Sequence, residues 1–141
     1  MTSHPGRGDD WRRADLESRT VRLEIVAIAL HTMRHIARCW SLTTSEAAGL
    51  IGDIDDSTWL IWEARAVTEV SADQLSRISL LTNIHRALHT LYSAPLANAW
   101  VRRPNANPIF SGASPLQVML DGGGPSMLEV HRLLEFLSQP S

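Results

Sequence analysis

"SADQLSRISLLTNIHRALHTL", residues 71–91, decides the fold. Ser71 followed three residues later by Gln74 forms a capping box, in which each side chain satisfies a backbone N–H of the other's turn. Beyond it Leu75, Ile78, Leu81, Ile84, Leu88 and Leu91 recur at helical intervals. They cover more than one face, where a surface helix would show a single stripe. The spacing predicts a long helix over roughly 72–92, central and flanked on two sides.

On the N-terminal side the pattern turns helical at Leu16, and Ile25, Val26, Ala29, Met33, Ile36, Ala37 and Trp40 make one inward stripe. Residues 1–15, "MTSHPGRGDDWRRAD", show no periodicity and are expected to form a flexible arm. Between the two long helices lies "SLTTSEAAGLIGDIDDSTWLIWEA", residues 41–64. Thr43 with Glu46 caps a short helix, Gly52 can end it in a left-handed turn, and Asp55 or Asp56 starts a second helix carrying Trp59, Leu60 and Trp62. Two short helices around a glycine turn resemble a helix-turn-helix.

On the C-terminal side Pro95 suits the first turn of a helix that runs toward Trp100, and Pro104 stops it. Ser114 and Pro115 open the next helix, with Leu116, Met119 and Leu120 on one side, and the glycines at 122–124 break it. A last helix from Pro125 to Ser138 turns Met127, Val130, Leu134 and Leu137 inward. Strand-like alternation appears nowhere. The expected fold is an all-α bundle, with a helix-turn-helix-like half over 16–70 and a C-terminal helical half over 71–141.

The 141 residues, 44% of them hydrophobic, can bury a real core. Net charge is −2 and all thirteen positive side chains are arginine, so the chain as a whole is no basic coater of nucleic acid. Cys39 is alone, which excludes an internal disulfide and fits a reducing compartment. The apolar run "LEIVAIAL" is too short to span a bilayer, and no secretion signal is visible. A cytoplasmic protein without a membrane partner is expected.

Catalysis finds no foothold. His31 and His35, like His85 and His89, are spaced to share a helix face, but neither pair carries a metalloprotease glutamate. No cysteine or carboxylate cluster visibly completes four ligands, so neither metal nor cofactor is expected, and the histidines read as a polar rim. Cys39 beside Trp40 reads as a buried, inert thiol. The glycines at 122–124 follow a helix and lack the lysine of a phosphate loop.

DNA binding is tested by charge. Residues 41–70 hold one arginine against six acids, a poor partner for phosphates. The residues placed best for DNA are Arg7, Arg12 and Arg13 of the arm, with Ser57 and Thr58 at a helix start.

The remaining feature is "AWVRRPNANPIFSGASPLQVMLDGG", residues 99–123. Trp100, Arg102, Arg103 and Phe110 are types enriched at the energetic centres of interfaces, and three prolines restrict the backbone around them. The two rings could fill the chain's own core while the arginines and Asn105 face outward. Reversing both arginine charges should then leave the fold unchanged.

The series "LTNIHRALHTLY", "ANAWVRRPN", "FSGASPLQVMLDGG" and "LEVHRLLEFL" resembles the toxin-binding domain of the Xre/MbcA/ParS-like antitoxins, over about residues 75–138. The resemblance implies an antitoxin that occludes the NAD-binding cleft of a RES-domain toxin and has no enzymatic activity of its own. Carried over by motif, the contact positions are Trp100, Pro104, Asn105, Gly112, Ser114, Pro115 and Leu116. Interface chemistry adds Arg102, Arg103 and Phe110. Many such antitoxins also repress their operon as dimers, so a dimeric DNA-binding repressor is the alternative. The acidic helix-turn-helix departs from that role.

Overall fold

Thr43 and Ser71 cap their helices as their spacing predicts. Thr43 Oγ1 accepts the Glu46 N–H at 3.0 Å and Ser71 Oγ accepts the Gln74 N–H at 3.0 Å, while the Glu46 and Gln74 side chains reach back to the cap N–H groups. In the computed structural model, which describes residues 5–140 and side chains from residue 12 onward, six α-helices follow one another. They are α1 (Pro5–Cys39), α2 (Thr44–Ile51), α3 (Asp56–Ala64), α4 (Ala72–Leu91), α5 (Ala94–Ala99) and α6 (Pro115–Ser138). No strand occurs among the described residues, and the fold is all-α.

Helix α4 is the axis. Ile78, Leu81, Ile84 and Leu88 are fully buried along it, and it packs against α6, α1, α5 and α2. Burying each such side chain contributes about 1.5–3 kcal/mol. That is why its apolar residues cover more than one face. One continuous core joins Met33, Ile36 and Trp40 of α1 with Trp59 and Trp62 of α3 and Met127, Val130 and Leu134 of α6.

Helix α1 begins at Pro5, so the arm expected over 1–15 is helical from Pro5 onward, and residues 1–4 lie outside the described residues. Pro5 occupies the first helical position, where its missing N–H costs nothing. The helix carries two apolar stripes. Val26, Leu30, Met33, Ile36 and Trp40 enter the core, whereas Val21, Ile25 and Ile28 face outward. Ile25, expected inward, is therefore on the outer stripe. Leu137 near the end of α6 is likewise exposed where an inward position was expected.

Glycine matters at two positions. Gly52 ends α2 at φ 82°, ψ 151°, opened out at positive φ rather than in the left-handed helical turn expected. Gly123 takes φ 64°, ψ −144° and kinks α6, so the break expected at 122–124 is present. The Arg77 guanidinium lies over both. A Cβ on Gly52 would meet Arg77 Nη1 at 2.7 Å, and one on Gly123 would meet Nη2 at 3.1 Å. The buried Gln74 completes the clamp by donating to Gly52 O at 2.8 Å. Gly52→Ala is expected to destabilise the chain by about 1–3 kcal/mol, because that backbone region is nearly glycine-only. Thermal unfolding checks this, and an unchanged midpoint would show that the turn relaxes freely.

Candidate functional site

Helix α5 starts with Pro95 in its first turn and tightens into a 3₁₀ turn at Trp100–Arg102. Arg103 is extended, at φ −93°, ψ 138°, as the following Pro104 requires. The chain then makes a loop whose ends are pinned together by Asn105 N–H donating to Ala113 O at 3.1 Å. Inside it, Asn105 Oδ1 accepts the Asn107 N–H at 2.9 Å and Asn107 Oδ1 accepts the Ile109 N–H at 3.1 Å. Two asparagine side chains thus replace regular backbone pairing. A second 3₁₀ turn spans Pro108–Phe110, Ser111 and Gly112 reverse direction at φ 49° and 83°, and Ser114 caps α6 by accepting the Gln117 N–H.

The loop is moored from below. Phe110 is 1% exposed and meets the half-buried Trp100 ring edge to face, with centroids 5.9 Å apart. Val101, Pro115 and Leu116 are buried beside the core. Of the residues singled out in the sequence, Phe110, Pro115 and Leu116 are thus interior, Trp100, Asn105 and Ser114 are partly covered, and Arg103, Pro104 and Gly112 are exposed. The exposed surface also includes Ala106 and Ile109, which sequence reasoning passed over, and Pro108, which it read only as stiffening the backbone.

Arg102 is exposed like Arg103 but engaged within the chain, where an outward arginine was expected to be unengaged. Its guanidinium reaches the end of α1, donating from Nε to Trp40 O at 2.7 Å and from Nη2 to Ser41 O at 2.6 Å. It also forks onto the Glu46 carboxylate, with Nη1 to Oε2 at 3.3 Å. Desolvation pushes the Glu46 carboxyl upward, but the bonds from Arg102 and Thr43 outweigh it and hold the group below its ordinary value. Glu46 therefore serves its own helix cap and the C-terminal half at once. Adjacent in sequence, Arg102 is a strut and Arg103 an exposed cation without an ion-pair partner among the described residues.

The helix-turn-helix-like pair is present as α2 and α3, with Trp59 and Trp62 buried and Leu60 and Ile61 exposed. Ser57 is exposed, and the N–H of the half-buried Thr58 is taken by Asp55 Oδ1 at 2.8 Å. Arg12 and Arg13 stand exposed on α1, and the Arg7 side chain lies outside the described residues. Arg34 closes the far end of α3 by donating to Trp62 O and Arg65 O.

The histidines are grouped otherwise than the sequence pairs suggested. His35 lies with Cys39 and with His85 of α4, and their potential ligand atoms are all within 4.8 Å of one another. His31 is exposed and apart from them. Cys39 is only partly buried, where a fully buried thiol was expected. Burial, then the neighbouring His89 and His35 rings, push His85 down to about 4, so it stays neutral near pH 7. The overlooked signal was the four-residue step from His35 to Cys39. No helix of the described residues is long and apolar enough to cross a membrane. No family model matches the chain, and no curated protein matches it significantly.

Proposed function

We propose that the chain is a non-catalytic antitoxin whose loop 103–112 plugs the NAD-binding cleft of a RES-domain toxin. The observation that carries this reading is a pinned, proline-bounded loop held by buried Phe110, with Arg103, Pro104, Pro108 and Ile109 turned to solvent. A loop already fixed in shape loses little entropy on docking. A guanidinium beside an aliphatic side chain can pair with a carboxylate or stack on an aromatic wall at the mouth of a partner's cleft. Blocking requires only occlusion. A toxin whose dinucleotide cannot enter is silent, and about 800 Å² of covered surface per partner is enough for a tight complex.

The test is co-expression with the protein of the neighbouring gene, which this reading requires to be a RES-domain toxin. Restored growth and a stable co-purified complex are expected, and free toxin with continued NAD consumption would reject the proposal. Arg103→Glu combined with Ile109→Asp is expected to leave helicity unchanged. It should weaken the complex at least thirtyfold, about 2 kcal/mol, as central interface residues do. Titration calorimetry measures this, and unchanged affinity would place the contact elsewhere.

One observation favours the alternative, a dimeric repressor. The outer stripe of α1 places Ala14, Ser18, Val21, Ile25 and Ile28 at four- and three-residue steps, flanked by Glu17 and Arg22. In a parallel pair of such helices each Glu17 would face the Arg22 of the second copy. Exposed Arg12 and Arg13 on the same helix would then meet phosphates. Tight, strongly salt-dependent binding of operator-length DNA without a co-purifying protein would select this reading.

A further inference from the structure

We propose that His35, Cys39 and His85 form a binding site for a thiophilic divalent ion of the Zn²⁺ class, joining α1 to α4. His35 and Cys39 are one turn apart on α1, and His85 faces them from the middle of the central helix. The three provide two imidazole nitrogens and one sulfur, the donor set such ions prefer over oxygen ligands.

The geometry is close to what a tetrahedral centre needs. Bond lengths of about 2.3 Å to sulfur and about 2.05 Å to nitrogen set edges of about 3.6 Å between sulfur and nitrogen and about 3.3 Å between nitrogens. Cys39 Sγ is 3.4 Å from His35 Nε2. The remaining separations are within 4.8 Å. Closing the widest of these takes about 1.5 Å, a small side-chain rotation.

The surroundings supply what a polar rim would not. His85 Nδ1 is buried and has no hydrogen-bond partner, a costly state that an ion held by this nitrogen would relieve. His85 and His35 meet ring edge to face at 5.5 Å, and the His89 ring lies 4.4 Å from His85, the nearest further imidazole. His89 Nε2 pairs with Asn98 Oδ1 at 3.0 Å, which holds this neighbouring ring in place beside the site. Cys39 also opens on a surface cleft lined by Trp40, Pro95, Asn98 and Arg102, which gives an ion a way in. Binding displaces the thiol proton to solvent as the thiolate–metal bond forms.

Because Cys39 is the only cysteine, its alkylation reports on the site without any mutation. On the full chain, Zn²⁺ is expected to slow Cys39 alkylation by iodoacetamide at least tenfold while Mg²⁺ leaves it unchanged. Co²⁺ should bind one to one and produce visible ligand-field bands with a thiolate-to-cobalt charge-transfer band. Cys39→Ser should erase the charge-transfer band, and His85→Gln should weaken Co²⁺ at least tenfold. His31→Gln, outside the cluster, should change nothing. Circular dichroism establishes that each variant remains helical, and a variant that unfolds is replaced by His35→Gln, with the same loss expected. Equal alkylation rates with and without Zn²⁺, or Co²⁺ spectra unaffected by Cys39→Ser, would overturn the site.

Discussion

Phe110→Ala is expected to remove about 3–5 kcal/mol of folding stability, the usual cost of emptying a fully buried aromatic position. Phe110 is 1% exposed and in edge-to-face contact with Trp100, so truncation loses apolar burial and an aromatic pair together. A domain of this size has about 5–15 kcal/mol in total, so the variant should melt roughly 10–20 °C lower. Denaturant unfolding read by circular dichroism measures the loss. The effect should also be local. Pro108 and Ile109 immediately precede Phe110, and the Asn105–Ala113 bond closes the loop above it. Without the ring the loop should become sensitive to protease between 103 and 112 under conditions where the helices persist. Phe110→Leu should restore most of the stability and the protease resistance. A loss below about 1 kcal/mol would mean that the surrounding core collapses readily, and that Phe110 does not hold the loop.

The helices were legible because their signals are local. Capping boxes at Thr43 and Ser71, proline at 95, 104 and 115, and the three- and four-residue rhythm of α4 act within one or two turns. The expected kink at 122–124 was legible for the same reason, since glycines followed by Pro125 break a helix by their own chemistry. What escaped depends on residues far apart in the chain. Nothing around Arg102 announces that the end of α1, sixty residues earlier, leaves the Trp40 and Ser41 carbonyls for it to bind. Nothing around Cys39 announces His85. The early start of α1 was missed because residues 5–15 show no apolar periodicity in the sequence, and periodicity detects only helices that carry such a stripe. In the 99–123 segment, the inward packing of Phe110 against Trp100 was within reach of the sequence. The sequence did not reveal that Arg102 is bonded within the chain, since adjacent arginines look alike until the partners are known.

That distinction gives the last prediction. Arg102→Glu is expected to destabilise the whole chain by about 2–4 kcal/mol, whereas Arg103→Glu should stay within about 0.5 kcal/mol of the parent. Arg102 satisfies the Trp40 and Ser41 carbonyls and the Glu46 carboxylate together. Each carbonyl that loses its donor costs about 1–3 kcal/mol when water cannot replace it. The Arg102 side chain is 36% exposed, so solvent recovers part of that, which sets the estimate below the sum. Glutamate at 102 would add repulsion with Glu46, whose carboxylate also holds the Thr43 cap, so the start of α2 should loosen with it. Arg102→Met keeps the aliphatic stem without the charge and should fall between the two. A cycle pairing Arg102→Met with Glu46→Gln isolates the ion pair, for which a coupling of about 1 kcal/mol is expected at this exposure. The order of the three single variants is the decisive reading. If Arg103→Glu cost as much as Arg102→Glu, the bonded and unbonded roles of the two arginines would have to be exchanged, and the cation offered to a partner with them.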